Sequence, residues 1–286
     1  MHLRPLNKQN KRPVNTQQIL EIYRLLPWFR GKLRIGKKLF GSYINKREPL
    51  HFTAHGGIEY SIPNTLENLG MELLINGVYE QDIVRFLQAQ VPDGAVYFDI
   101  GANIGSLGLP VVKLKSNVRY YGFEASPMVF EYLQKNFEQN GILHFQLFNK
   151  LVHQNDAQLM KFYESELYGK SSLAPTYTSD YIEVDSVSLD GFCRQQAIKK
   201  IDWMKVDVQG FELYVFEGMQ QMLKEKNVEN ILFEFEAWAD EQAGVEIGAA
   251  QSLLQEWGYC LYGLDGKRLE NNKRNACTMI WAKPNV

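Results

Sequence analysis

The run Val96-Tyr97-Phe98-Asp99-Ile100-Gly101-Ala102-Asn103-Ile104-Gly105 constrains this chain more than any other stretch. An apolar segment that closes on an acid and then passes two glycines reads as a buried strand followed by a sharp turn. Leu107, Leu109, Val111, Val112 and Leu114 follow at spacings that suit a helix packed on a sheet. A strand, a Gly-rich turn and a helix make a site for a nucleotide-like cofactor in an open α/β sheet. The local alternative is an ordinary tight turn. Glycine spacing then narrows the cofactor. The dinucleotide fingerprint is G-x-G-x-x-G, with a pyrophosphate on the helix N-terminus. Here Asn103 stands where the second fingerprint glycine belongs, and Asp99 precedes the first glycine. An acid in that place repels a phosphate but can pair with an ammonium. S-adenosylmethionine (SAM) carries an amino acid and a sulfonium, and no phosphate. The candidate cradle is Asp99, Gly101, Asn103 and Gly105. A nicotinamide-dependent oxidoreductase is the competing enzyme class, disfavoured by Asn103.

Residues 119–124 (RYYGFE) read as a second short strand, ending in an acid 25 positions after Asp99. In this architecture an acid there binds the two ribose hydroxyls of an adenosine, which makes Glu124 a cofactor residue. Ser126-Pro127 reads as the N-cap and first position of a helix that stops at Asn140-Gly141. Asn149, near the end of a third strand over residues 144–152, lies where adenine-facing residues occur.

A second cluster sits at residues 201–212. A central parallel strand is covered on both faces and should be nearly all apolar. This one carries Lys205 and Asp207 two apart, hence on one face. A fifth strand over residues 230–236 does the same with Glu234 and Glu236. In a sheet of order 3-2-1-4-5 the first, fourth and fifth strands are neighbours, so these groups converge on one crevice. Burying one charge unpaired costs several kcal/mol, so Lys205 needs a partner among Asp207, Glu234 and Glu236. The competing account is a structural ion-pair network.

The remaining order is coarser. The sequence predicts a short helix at residues 16–26, a hairpin at 51–62 around Gly56-Gly57, and helix over 66–90 broken near Asn76-Gly77. Residues 158–187 read as two antiparallel strands, 211–226 as one helix, and 259–264 and 277–283 as late strands. Cys193, Cys260 and Cys277 are scattered, which argues against a disulfide framework or a C-x-x-C metal site. No secretory signal and no apolar run of ~18 residues is visible, and the expected location is the cytoplasm.

Charge is uneven. Residues 1–50 hold twelve Lys/Arg against two Glu, +10, so the rest carries −12 of the net −2. Residues 24–40 alternate bulky apolar side chains with cations. Three readings stand: a solvated arm packed on its own domain, contact with the anionic inner face of a membrane, or docking on an acidic partner. Nucleic acid is disfavoured because the acidic body repels phosphates.

The combination resembles the FkbM-type SAM-dependent methyltransferases. That pattern has D-x-G-A-N-x-G after a strand, a second strand ending in E before a small residue and Pro, then L-D, then K-x-D-x-E-G-x-E. This chain gives the Asp99 to Gly105 run, Phe123-Glu124-Ala125-Ser126-Pro127, Ser188-Leu189-Asp190, and Lys205-Val206-Asp207-Val208-Gln209-Gly210-Phe211-Glu212. Gly77-Val78-Tyr79-Glu80 matches an upstream G-x-Y/W-E feature. The resemblance covers about residues 56–240. Gln209 departs from the usual Glu, so no acid–base or metal role carries over to that position. Ala125 departs from a common Pro.

The resemblance implies a Rossmann-like class I methyltransferase fold, with a mostly parallel seven-stranded sheet and helices on both faces. Residues 76–286 would form that domain and 1–75 a basic N-terminal extension. It implies methyl transfer from SAM to a hydroxyl of a sugar or a glycosylated or polyketide-like small molecule. Asp207 is the candidate base or acceptor-positioning residue, Lys205 tunes or orients it, and Glu212 binds either a substrate hydroxyl or helix amides. Glu80 is placed at the methionine end of SAM, or in a salt bridge to the arm. Glu234, Glu236 and Trp238 are candidate acceptor residues. His153 and Trp203 rank below these, an extended His51/His55 pair is not a ligand spacing, and the sequence requires no metal. A non-catalytic protein of the same fold acting through its arm is the alternative from another class. Acceptor identity and oligomeric state are open at this stage.

Overall fold

The structure, a computed structural model, describes residues 15–269 and 278–285. Cys277 and the first fourteen residues of the basic arm lie outside that description. Helices α1 (Thr16–Leu25) and α2 (Lys32–Ile44) precede a hairpin of β1 (Leu50–Thr53) and β2 (Glu59–Ile62). Then come α3 (Asn68–Asn76) and α4 (Gln81–Gln90), separated at Gly77. The α/β unit follows: β3 (Val96–Ile100), α5 (Gly108–Leu114), β4 (Arg119–Glu124), α6 (Pro127–Gln139) and β5 (Phe145–Asn149). β6 (Leu151–Val152), β7 (Leu159–Tyr163) and β8 (Tyr181–Val187) form a small separate sheet. The chain closes through α7 (Leu189–Gln195), β9 (Trp203–Val206), α8 (Glu212–Glu217), α9 (Gln220–Lys224), β10 (Ile231–Glu234), α10 (Ala237–Ala243), α11 (Ala249–Glu256), β11 (Tyr259–Tyr262) and β12 (Met279–Pro284).

The central sheet has the order β11-β12-β10-β9-β3-β4-β5. From β10 to β5 all pairings are parallel; β12 runs antiparallel between β10 and β11. The expected 3-2-1-4-5 order is present, with the last strand inserted beside the fifth. Consecutive side chains alternate between two buried apolar layers. Tyr97, Tyr120 and Trp203 belong to one, and Phe98, Tyr121 and Met204 to the other. That double coverage is why these strands are apolar throughout, and why the charged residues near their ends stand out. The β3/β9 register sets Asp99 beside Lys205.

Two predicted elements divide. The third strand splits into β5 and β6, and β6 leaves the central sheet to pair with β8. The helix expected over 211–226 breaks at Gly218-Met219. The break is capped from afar: the Asp190 carboxylate accepts from Gln221 N at 2.7 Å and Met222 N at 3.0 Å. Its charge there favours the start of α9.

The two N-terminal helices pack on α3 through Leu20, Phe40 and Ile44. Two cations are buried with them, satisfied by backbone carbonyls. Arg24 donates to Leu74 O at 2.7 Å and Thr53 O at 2.9 Å, and Lys32 to Arg24 O at 2.9 Å and Leu26 O at 2.6 Å. The hairpin is tied to α6 by Asn136 and Asn140. Asn136 accepts from Ser61 N at 2.7 Å and donates to Ser61 O at 3.0 Å. Asn140 accepts from Glu59 N and donates to Glu59 O in the same way. Two amide side chains thus act as a surrogate strand along β2.

Candidate active site

A cleft of about 410 Å³ opens over the carboxyl ends of β3, β4, β9 and β10. Its walls are the glycine loop after β3, Glu124-Ala125, residues 205–209, the start of α3 with Tyr79, and the 167–173 loop. Gly101 has φ +69°, and a Cβ there would run into the Asp207 carbonyl oxygen. The loop is therefore pressed against the neighbouring strand end, which only glycine permits.

Beneath the loop lies a buried charge relay of fixed geometry. Lys205 Nζ is 3.2 Å from Asp99 Oδ1 and 3.7 Å from Asp207 Oδ2, and it donates to the Gly101 carbonyl at 2.7 Å. Tyr120 donates to Asp99 Oδ2 at 2.7 Å. Burial opposes the Lys205 charge, but Asp99 and Asp207 outweigh it and hold the ammonium above its ordinary value. Asp99 is wholly buried and does not line the cleft. The ammonium it meets is that of Lys205, so its part is to anchor the loop floor, not to reach into the cofactor space.

Glu124 does line the cleft. Its Oε2 accepts from Asn103 N and its Oε1 from Ser126 N, both at 2.9 Å. Burial lifts its pKa to about 7 against the pull of those two amides. Each oxygen keeps a further lone pair, which suits a group that accepts from two vicinal hydroxyls. Asn103 sits in the left-handed region at φ +51° and lines the same wall. Gly105 closes the turn onto Ala102 O and packs on Phe137, away from the cleft. Asn149 is also off the cleft. Its amide donates to the carbonyls of Glu124 and Ala125 at 2.9 and 3.0 Å, and so shapes the turn that presents Glu124.

Opposite stands an acid pair bridged by an amide. Gln209 Nε2 donates to Glu234 Oε2 at 2.9 Å and to Asp207 Oδ1 at 3.2 Å. Burial, and then the neighbouring Asp207 charge, push the Glu234 carboxyl well above its usual range. Glu234 is thus the acid of the pair whose charge is opposed, and Asp207, with its side chain 27% exposed, is the more accessible one. Glu80 is lifted to about 7 by burial and by Asp207, with Lys205 opposing. It lies behind Tyr79, which lines the cleft where Glu80 does not.

Three further predicted residues do not line the cleft. Glu212 is buried and clamps the loop by accepting from Val208 N at 2.9 Å; burial lifts its pKa to about 8. Glu236 sits at the position before α10, makes no side-chain cap bond there and does not line the cleft. Trp238 stands at the rim, its ring 6.3 Å from Tyr177 and 5.8 Å from Lys170 Nζ, both of which do line the cleft. Trp203 stacks on Trp281 at 6.0 Å in the core, and His153 stacks on Tyr214 at 4.9 Å away from the site. Among the described residues no cluster of acids, histidines or cysteines could hold a metal. Sequence reasoning missed Glu67, Tyr168, Lys170 and Tyr177, which come from connections without a motif. It missed Tyr79 although the Gly77 to Glu80 feature contains it.

Strand order, the glycine loop and a cleft-lining acid on each side of it leave one decision, which the family comparison makes. The model of the methyltransferase FkbM domain matches residues 99–261, more than half of the chain. The chain belongs to the FkbM methyltransferase family. A hexuronic acid methyltransferase, AglP, of Haloferax volcanii is 26% identical over 178 residues, 62% of this chain and 71% of that protein. Methyltransferase 1 of Beauveria bassiana is 23% identical over 216 residues, 68% of this chain and 82% of that protein. A solved structure of a putative Streptococcus mutans methyltransferase in complex with SAH aligns at TM-score 0.41 and 11% identity, covering 70% of this chain and 94% of that one. As an FkbM enzyme the chain is a SAM-dependent methyltransferase. The residues present fit that cofactor: Glu124, at the end of β4 and on the cleft wall, keeps a lone pair on each carboxyl oxygen for a hydroxyl donor.

Proposed function

We propose that this enzyme methylates a hydroxyl of a carbohydrate-containing small molecule. The observation that carries the reading is the contiguity of one cleft: Glu124 and Asn103 on one wall, Asp207 and Glu234 on the other, with Tyr177, Lys170 and Trp238 at the mouth. Bound SAM supplies an electrophilic methyl group on a sulfonium. What the protein must add is alignment of the acceptor oxygen and removal of its proton. Asp207 is the base. Lys205 fixes its orientation on one side and Gln209 on the other. Glu234, whose charge is opposed by burial and by Asp207, shares the Gln209 amide with the base.

A sugar face stacks on an exposed aromatic ring, and its hydroxyls pair with acids and amides. Trp238 and Tyr177 offer the first and the Asp207–Gln209–Glu234 row the second. The hexuronic acid named for the Haloferax volcanii relative agrees with a sugar, and Lys170 and Lys150 would suit a carboxylated one. The test is a panel of neutral sugars, uronic acids and their glycosides incubated with protein and SAM. O-methylated product with equal SAH supports the reading. Turnover confined to amines or to protein acceptors contradicts it.

A further inference from the structure

Fifteen large hydrophobic side chains are exposed among the described residues, and eight of them lie between residues 19 and 39. On α1 they are Ile19, Ile22 and Leu25, and on α2 Ile35 and Leu39; Leu26, Trp28 and Phe29 occupy the connecting turn. Leu20, Phe40 and Ile44 face the core, yet the outer side of these helices is apolar as well. Their buried positions include Arg24 and Lys32, held by carbonyls, while aliphatic and aromatic groups face out. Burial of two cations with no carboxylate partner costs more than burial of leucines would. An outward apolar face held at that cost points to an occupant.

Charge identifies the occupant. Arg30, Arg34 and Lys38 are exposed on the same segment and form no ion pair among the described residues. Glu21 is the sole acid between residues 15 and 47. Arg34 and Lys38 alternate with Ile35 and Leu39 along one stripe. Protein interfaces gather apolar groups in a dry centre and deplete it of lysine. A stripe that alternates the two suits a bilayer surface, where acyl chains take the apolar groups and phosphates the cations. No helix among the described residues is long and apolar enough to cross a membrane, so the contact is peripheral.

We infer that α1, α2 and the turn between them form a docking surface for an anionic lipid bilayer. The surface adjoins the cleft. Lys37 donates to Asn68, a cleft residue, at 3.0 Å, and Arg47 pairs with Glu166 beside the 167–173 loop at 3.3 Å. A docked bilayer lies next to the acceptor entrance.

The test is co-sedimentation of the full chain with phosphatidylcholine vesicles, with and without phosphatidylglycerol. The protein pellets with the anionic vesicles and not the neutral ones, less so as salt is raised. Arg34→Ala with Lys38→Ala weakens partitioning about thirtyfold. Trp28→Ser with Phe29→Ser, a change in an exposed turn, weakens it without altering the SAM-induced thermal shift, which shows that the variant is folded. No pelleting with anionic vesicles at low salt overturns the inference, as does wild-type pelleting of both variants. So does a vesicle-independent dimer that the Trp28/Phe29 variant dissolves, since the occupant is then a second copy.

Discussion

Lys205 holds a full charge at 2% exposure, and its surroundings account for it. Asp99, Asp207 and the Gly101 carbonyl together replace the lost hydration. Removing the ammonium strands the Asp99 carboxylate in the core, so Lys205→Met is expected to cost about 3–5 kcal/mol in urea unfolding. Adding Asp99→Asn to that variant should recover part of the loss, because the stranded charge is gone. Strain-free Glu234→Gln makes the complementary case. Burial and Asp207 oppose a charge on Glu234, so its amide should retain the rate within about tenfold, whereas loss of a general base costs about 10²–10⁴. The residue types at these positions were legible in sequence, because charge in an apolar strand is conspicuous. Their partners were not. Alternation puts Lys205 and Asp207 on one face, but only the β3/β9 register shows that Asp99 takes the ammonium and sits below the loop.

Elements hold the site through side chains that mimic backbone. Asn136 is buried in α6 and bonds Ser61 on β2 and the Ile104 carbonyl of the glycine loop at 2.9 Å. Asn136→Ala leaves a buried N–H and two carbonyls without partners. Destabilisation of about 2–3 kcal/mol, with the m-value unchanged, is the expected urea result; a change under 0.5 kcal/mol, on the order of an ordinary surface substitution, would contradict the tie. The strands and the two hairpins were readable from alternation and turn residues. The break at Gly218-Met219 was not, because its cap comes from Asp190, a residue of another helix. Asp190 of the Leu189-Asp190 pair thus has a structural job: it starts α9.

At the scale of the molecule, acid is concentrated at the cleft and base on the N-terminal helices. Burial lifts Glu67, Glu80 and Glu124 to about 7 and Glu212 to about 8, from an ordinary 4.5. The folded, ligand-free chain therefore binds more protons than the unfolded chain between pH 4.5 and 8. Stability from these groups is present below pH 4.5 and is lost as pH rises through 7 to 8. A melting temperature that climbs across that window instead would contradict the burial of these acids. A ligand of net positive charge favours the ionised carboxyls, so SAM binding near neutral pH should release protons. Calorimetry in buffers of different ionisation heat reads that number directly; proton uptake would be the wrong sign.

The central claim is that one cleft joins a SAM wall anchored at Glu124 to an acceptor wall whose base is Asp207. Asp207→Asn tests it most directly, with SAM affinity by calorimetry and methyl transfer to the best sugar acceptor measured on the same preparation. The account predicts SAM binding within a fewfold of wild type and transfer lowered by about 10²-fold or more. Transfer at the wild-type rate with binding intact would remove Asp207 from the chemistry and leave only the cofactor wall standing.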